Sequence, residues 1–350
     1  MNWKRTINFG NNDVFGLDIG STAVKIVALR KDDAGYSVTG AGITHIAASK
    51  NDDHQETNTV TAIRDCFLKA RVRRKLAVCG VSGTEVAVRD FEFSSLSTDE
   101  IGAAVSLEAS QVCPFNAADS AVDYHLMANG NDKTRGVLVA ATNPLIANKV
   151  HLTKEARLKC ILMDVDGLAL LNCFNGLAAE GQESQSGRTI AILNVGGSHT
   201  TLAVMDNEGW PFIRDMTCAG NDIIRQIAAA LDTPEETVKE ALFGNSASPE
   251  PPLQDNFGKA CQRLISDVTG TLRYYTAQGK SSNVDRLLVC GGFALAKGFV
   301  ELLDSRLGIE AVLWNPFAGI RTDATKQCED ALAKAGPAMA IAAGLAMRSI

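Results

Sequence analysis

Asp18-Ile19-Gly20-Ser21-Thr22-Ala23-Val24-Lys25 is the stretch of this chain best equipped for chemistry. With no Cβ at Gly20, backbone N–H groups can approach phosphate oxygens closely. Asp18 closes an apolar strand and can hold the water shell of a magnesium ion. Lys25, on the returning strand, can bring positive charge to the same phosphates. Taken alone, the segment also fits a plain hairpin with an Asp–Gly type of turn. About half a chain later, Asn194-Val195-Gly196-Gly197-Ser198-His199-Thr200 supplies a second small-residue turn. His199 reads as a loop residue there, not a ligand. A third element, Leu288-Val289-Cys290-Gly291-Gly292-Phe293, ends a strand in paired glycines, which permits flat contact with a base or ribose. A simple strand–helix turn would look the same.

The elements that must carry these turns follow from periodicity. Val14 to Leu29 reads as a hairpin, and Thr189 to Met205 repeats its form, which predicts a duplicated architecture. Between the two, Leu76 to Val81 is an apolar strand and Val86 to Phe91 alternates. Ser97-Thr98-Asp99-Glu100 is a capping box opening a helix to about Val112. A strand over Gly136 to Thr142 and a helix over Pro144 to Leu158 complete an α+β insert at about 86–159. Cys160 to Asp166 is a buried strand that runs into a helix over Gly167 to Ala179. Gly181 to Gly187 has linker composition. Helices follow over Asn221–Leu231 and Glu235–Phe243, then a proline-rich loop over Ser246–Pro252 and a long helix over Asn256–Gln278. An alanine-rich helix from about Gly336 closes the chain. The alternation of strands and helices predicts α/β lobes.

Composition narrows the function classes. At 350 residues the chain exceeds one ordinary core and suits two lobes. A net charge of −6 gives no reason to expect nucleic acid as a partner. The basic run Lys69, Arg71, Arg73, Arg74, Lys75 is the main exception. It reads as a solvated helix end, with a phosphate or membrane patch as the alternative. Nine cysteines stand singly, with no C-x-x-C pair, as expected of reduced and buried thiols. The apolar stretch Cys160–Ala179 is interrupted by Asp164 and Asp166, so no membrane span is expected. Met1 to Asn12 lacks the apolar segment of a signal peptide.

The three turns, in this order, resemble the actin/Hsp70/sugar-kinase superfamily, which implies a ribonuclease H-like, two-lobed fold. Within it the chain is similar to the PilM family of type IV pilus assembly proteins, relatives of the cell-division protein FtsA. Phe15 to Ser21 with Lys25 resembles that family's opening, and Glu108, Pro114-Phe115 and Asp123-Tyr124 resemble its inserted subdomain. Asp164 to Leu170, Ala219 to Ile223 and Ala343 to Ala346 extend the likeness to the end of the chain. The resemblance implies a first lobe core at 13–85, the insert at 86–159 and a return to that lobe at 160–187. It further implies a second lobe at 188–314, with a subdomain at about 221–285, and a closing segment at 315–350 on the first lobe.

Carried over by position, the resemblance implies ATP and Mg²⁺ as cofactors. Asp18 would organise the metal through water, with Asn194 beside it. Gly20, Ser21, Thr22 and Lys25 would hold phosphate from one lobe, and Gly196, Gly197 and Thr200 from the other. Glu236, Lys239, Gly291, Gly292 and Phe293 would contact adenosine, although Glu236 and Lys239 also fit an ordinary solvated helix pair. Asp166 would position an attacking water. The superfamily's second turn usually opens with aspartate. Asn194 removes that charge, so ATP binding with slow or absent hydrolysis is expected. The implied role is a cytoplasmic platform at the inner membrane face, docking the cytoplasmic N-terminal tail of a PilN-like inner-membrane protein. Contact with other platform proteins and self-association are also implied. An FtsA-like division scaffold would carry a terminal amphipathic helix, whereas the last helix here reads as core. A small-molecule kinase would need a catalytic base, for which Asp166 is the one candidate.

Overall fold

The computed structural model describes residues 14–49, 52–127, 133–177, 189–206, 209–244, 251–277 and 283–348. The expected linker at 181–187 and most of the proline-rich loop lie outside them. The first part of the chain forms β1 (Phe15–Ile19), β2 (Ala23–Asp32), β3 (Gly35–His45), α1 (Asp52–Ala70) and β4 (Leu76–Val81). Next come β5 (Val86–Ser94), α2 (Thr98–Val112), β6 (Ser120–Leu126), β7 (Lys133–Thr142), α3 (Asn143–Glu155), β8 (Lys159–Val165) and α4 (Asp166–Leu177). The second half begins with β9 (Ile190–Val195), β10 (Thr200–Met205), β11 (Pro211–Met216), α5 (Gly220–Leu231) and α6 (Glu235–Phe243). It continues with α7 (Pro251–Ala260), α8 (Gln262–Ala277), β12 (Arg286–Cys290), α9 (Phe299–Leu307) and β13 (Glu310–Leu313). The short strand β14 (Arg321–Thr322), α10 (Lys326–Ala335) and α11 (Ala340–Ala346) complete it.

Two sheets share one wiring. The first runs β14-β3-β2-β1-β4-β8 and the second β11-β10-β9-β12-β13. In each, a three-stranded antiparallel meander is extended by two parallel strands beside its first member. Strands flanked by sheet on both sides and covered on both faces must be apolar throughout. All five residues of β1 are accordingly buried, including Asp18. Helices α4 and α11 form the layer between the sheets, where Leu170, Ile341 and Leu345 share a core with Ile192, Ala203 and Leu288. That layer needs small residues. A Cβ on Gly16 would come within 1.9 Å of Ala342 O, and one on Gly344 within 1.8 Å of Ala169 O. Alanine and glycine in α11 therefore let the helix lie directly on β1 and α4.

A third sheet, β5-β7-β6, carries α2 on one face around Phe91, Ile101, Val105 and Leu138. The capping box at its start is formed, with Ser97 N–H donating to Glu100 Oε2 over 2.9 Å. Within the segment expected as an insert over 86–159, α3 packs Leu152 into the first sheet's core, and Ala156 just after it joins the same core. An amphipathic helix takes whichever apolar face lies nearest, and sequence cannot say which that is. The helix expected over Asn256–Gln278 starts at Pro251 and bends at Cys261, while Cys261 N–H still donates to Phe257 O. Prolines suit a first helical turn, whose N–H groups need no partner inside the helix.

Candidate functional site

Parallel strands with matching connections leave their carboxyl ends on one side of each sheet, so both sheets direct their turns toward a shared crevice. A cavity of about 440 Å³ lies there. From the first sheet it is lined by Asp18, Gly20, Ser21, Thr22, Lys25, Ser82 and Asp166. From the second come Asn194, Gly196, Gly197, Thr201, Gly291 and Gly292. The two turns touch. A Cβ on Gly197 would stand 2.7 Å from Ser21 Oγ and 2.8 Å from Thr22 Cγ2.

Each turn is held from behind. Asp18 and Lys25 face each other across β1 and β2, and Lys25 Nζ lies 3.1 Å from Asp18 Oδ2. Gly20 N–H donates to Ala23 O and Gly196 N–H to His199 O, closing the two turns. The first turn of α5 clamps the second loop, since Gly220 N–H donates to Gly196 O and Asn221 N–H to Gly197 O. Gly291 has φ +95 and sits so close to Val195 that a Cβ would meet its carbonyl at 2.4 Å. Only glycine satisfies both conditions.

The electrostatics centre on Asp166. It opens α4, is buried, and leaves Oδ1 without a hydrogen-bond partner. Burial pushes its carboxyl up to about 7, the charge of Asp18 adds to the effect, and the Ser82 hydroxyl and Lys149 oppose it. A desolvated carboxylate beside another carboxylate is at a disadvantage until a cation arrives. An orphaned carboxylate oxygen, Asp18, the two glycine turns, and the amines of Lys25 and Lys149 together fit a magnesium-bound phosphate chain. Asn194, buried at the end of β9, adds an amide in place of a charge.

Several expected residues fall elsewhere. Thr200 is fully buried and its hydroxyl donates to Cys218 O over 2.8 Å, so it does not face the cavity. Neighbouring residues of a strand point to opposite faces, and Thr201 takes the position instead. Phe293 is also absent from the lining. It sits in a ring cluster with Phe299, Phe243 and Phe257, where a large apolar side chain gains most. Glu236 and Lys239 pair with each other at 2.7 Å on the exposed face of α6, away from the cavity lining. Gly20, Ser21, Thr22, Lys25, Gly196, Gly197, Gly291, Gly292, Asp18, Asn194 and Asp166 are brought together.

Sequence reasoning missed three features. Lys149 on α3 lines the cavity and donates to Ile19 O over 2.6 Å, and no local pattern marks it. Asp215 lies behind Thr201, accepting from the Thr201 hydroxyl at 2.6 Å and from Gly83 N–H at 2.7 Å. It thereby ties β11 of the second sheet to the loop after β4 of the first, and burial pushes its carboxyl up. His199 is a loop residue as expected, and its ring covers Gly83, where a Cβ would meet Nε2 at 2.9 Å. The links from Gly83 to Asp215 and His199 join residues more than a hundred positions apart.

Residues 16–350 match the family described as type IV pilus assembly protein PilM. Among solved structures, the PilM-PilN type IV pilus biogenesis complex covers 97% of this chain and 99% of its own, with TM-score 0.79 and 22% identity. The ethanolamine utilization protein EutJ from Carboxydothermus hydrogenoformans covers 95% and 88%, with TM-score 0.54 and 10% identity. A glycerol dehydratase reactivase covers 95% and 98%, with TM-score 0.52 and 11% identity. Cell division protein FtsA of Bacillus subtilis (strain 168) is 21% identical over 256 residues, 65% of this chain. The chain spans 56% of that relative's length. At these identities the structural likeness speaks to the fold, which is the two-lobed, actin-like one.

Proposed function

Because this chain belongs to the type IV pilus assembly protein PilM family, we propose that it is an ATP-binding, actin-like platform that docks a PilN-like partner. The observation that carries the nucleotide half is the contact of Gly197 with Ser21 and Thr22 above Asp18 and the buried Asp166. ATP with Mg²⁺ would supply the phosphate charge and the cation that this arrangement is built to receive. Gly20, Ser21, Thr22 and Lys25 would hold phosphate oxygens from one side, and Gly196, Gly197 and Thr201 from the other. Lys149 would add a second positive charge. Asp18 and Asp166 would hold metal-bound water, and Gly291 and Gly292 would leave room for the nucleoside. With Asn194 in place of a carboxylate, the site binds nucleotide and turns it over slowly or not at all.

The PilN half rests on family membership and on the likeness to the solved PilM-PilN complex. No helix among the described residues is long and apolar enough to cross a membrane. Placement at the inner membrane face would follow from docking the cytoplasmic N-terminal tail of a PilN-like protein. ATP would favour the closed arrangement of the lobes, and tail binding would shift with it to the extent that the tail prefers one arrangement. An FtsA-like division scaffold and a small-molecule kinase are the competing readings; for the kinase, Glu85 and His199 also line the cavity and join Asp166 as candidate bases for a sugar hydroxyl.

The test is thermal stabilisation by ATP with Mg²⁺, which should reach about 2.7 kcal/mol at a hundredfold excess over the dissociation constant. Lys25→Ala should lose most of it. Equal stabilisation in the variant, or none in the parent, would remove the nucleotide reading. Phosphate release over many turnovers would remove the claim of a slow site. Failure of a PilN-tail peptide to bind would remove the docking claim and leave the nucleotide claim standing.

A further inference from the structure

The edge of the first sheet opposite the cleft collects positive charge from two distant stretches of chain. There β4 and β8 start side by side, with Leu76 opposite Lys159 and Lys159 N–H donating to Lys75 O over 2.8 Å. Helices α1 and α3 run alongside each other toward that edge, since His151 meets Glu56 while the Arg64 guanidinium reaches Glu155 O. Segments 64–75 and 154–159 therefore share one surface. They hold nine basic and two acidic side chains, in a chain whose net charge is −6. Arg71, Arg73, Lys75, Lys154, Arg157 and Lys159 are all exposed.

Two further features mark this surface. Leu68 is 72% exposed, and lies one helical turn from Arg64 and next to Arg71. Arg71 (φ 54) and Arg157 (φ 62) occupy left-handed positions just past the ends of α1 and α3. Glycine is the residue that fits such helix ends without strain, and an L side chain is disfavoured there. Each helix thus ends on a cation where backbone geometry favours a residue with no side chain.

We propose that this edge is a docking face for an anionic lipid bilayer, with Leu68 entering the headgroup region. An exposed leucine among cations matches a surface that is negatively charged outside and hydrocarbon beneath. An acidic polypeptide would satisfy the charges and leave Leu68 in water. The cleft residues Asp18 and Ser82 lie at the opposite ends of β1 and β4, so this face is separate from the nucleotide site. It would add a direct contact to recruitment through a membrane partner, and it does not depend on nucleotide binding.

The experiment is co-sedimentation of the full chain with vesicles of phosphatidylglycerol mixed with phosphatidylcholine, against phosphatidylcholine alone. Binding should require the anionic lipid and weaken with salt. The double variant Arg71→Gly/Arg157→Gly removes two charges while relaxing two left-handed positions. At about fivefold per charge, its binding should fall about 25-fold, with the thermal midpoint kept or raised. Unchanged binding by the double variant, equal binding to both vesicles, or no binding to either would overturn the proposal. So would stronger retention on polyglutamate than on the mixed vesicles. Stabilisation by ATP, measured in the same variant, should be unaltered, which separates failure of this face from failure of the cleft.

Discussion

Replacing Asp166 by asparagine keeps the shape of the side chain and removes the charge that burial and Asp18 oppose. In the folded chain this carboxyl titrates at about 7, against 3.8 for an ordinary aspartate. The sign follows from proton binding: between those values the folded state holds the proton and the unfolded state has released it. Stability therefore falls as pH rises from about 4 to 7 and then levels off. At about 1.4 kcal/mol per decade, the whole effect is about 4 kcal/mol. By pH 5 a little over one decade has been lost, and by pH 8 about three. A neutral amide at this position carries no such burden, so the advantage of Asp166→Asn should grow by about 2–3 kcal/mol between pH 5 and pH 8. Chemical denaturation of both proteins at the two pH values, without nucleotide, measures it. An advantage that is the same at both, or larger at pH 5, would refute the account of a buried carboxyl held near neutrality. The same variant should lose part of the Mg²⁺-dependent stabilisation by ATP, since the charge that is costly alone is the one that a cation needs.

Gly197→Ala should cost about 1–3 kcal/mol through overpacking against Ser21 and Thr22 and should also reduce stabilisation by ATP; an unchanged protein would mean that the turns do not meet in solution. Phe293→Ala should cost about 3–5 kcal/mol in denaturation, with the increment from ATP preserved in the protein that folds. A selective loss of nucleotide binding would restore Phe293 to the nucleoside. Glu236→Ala and Lys239→Ala should each shift stability by no more than about 0.5 kcal/mol and leave the ATP-induced change in midpoint intact, because the pair is exposed. A clear drop in that change would return α6 to the site.

Local backbone chemistry was legible in the chain itself. Glycines at turns, an apolar run that closes on Asp18, the capping box at Ser97 and the repeated hairpin all act within a few residues. Their physics is therefore complete in a short window. The two turns, their order and the paired glycines at 291 and 292 are set at that scale, and so is the family resemblance built on them. What needed the tertiary structure was direction and distance. Whether Thr200 or Thr201 meets the cavity depends on the register of β10 between β9 and β11, and a shift of one residue exchanges the two faces. Phe293 follows the paired glycines that line the cavity but turns into a core of aromatic rings, and that core exists only once α6, α7 and α9 have packed. Lys149, Asp215 and Gly83 carry no local signature. They become a site because strands and helices distant in sequence converge at the carboxyl ends of two sheets. The convergence of 64–75 with 154–159 was hidden for the same reason. Charge along a sequence is visible, but its density on a surface is a property of the fold.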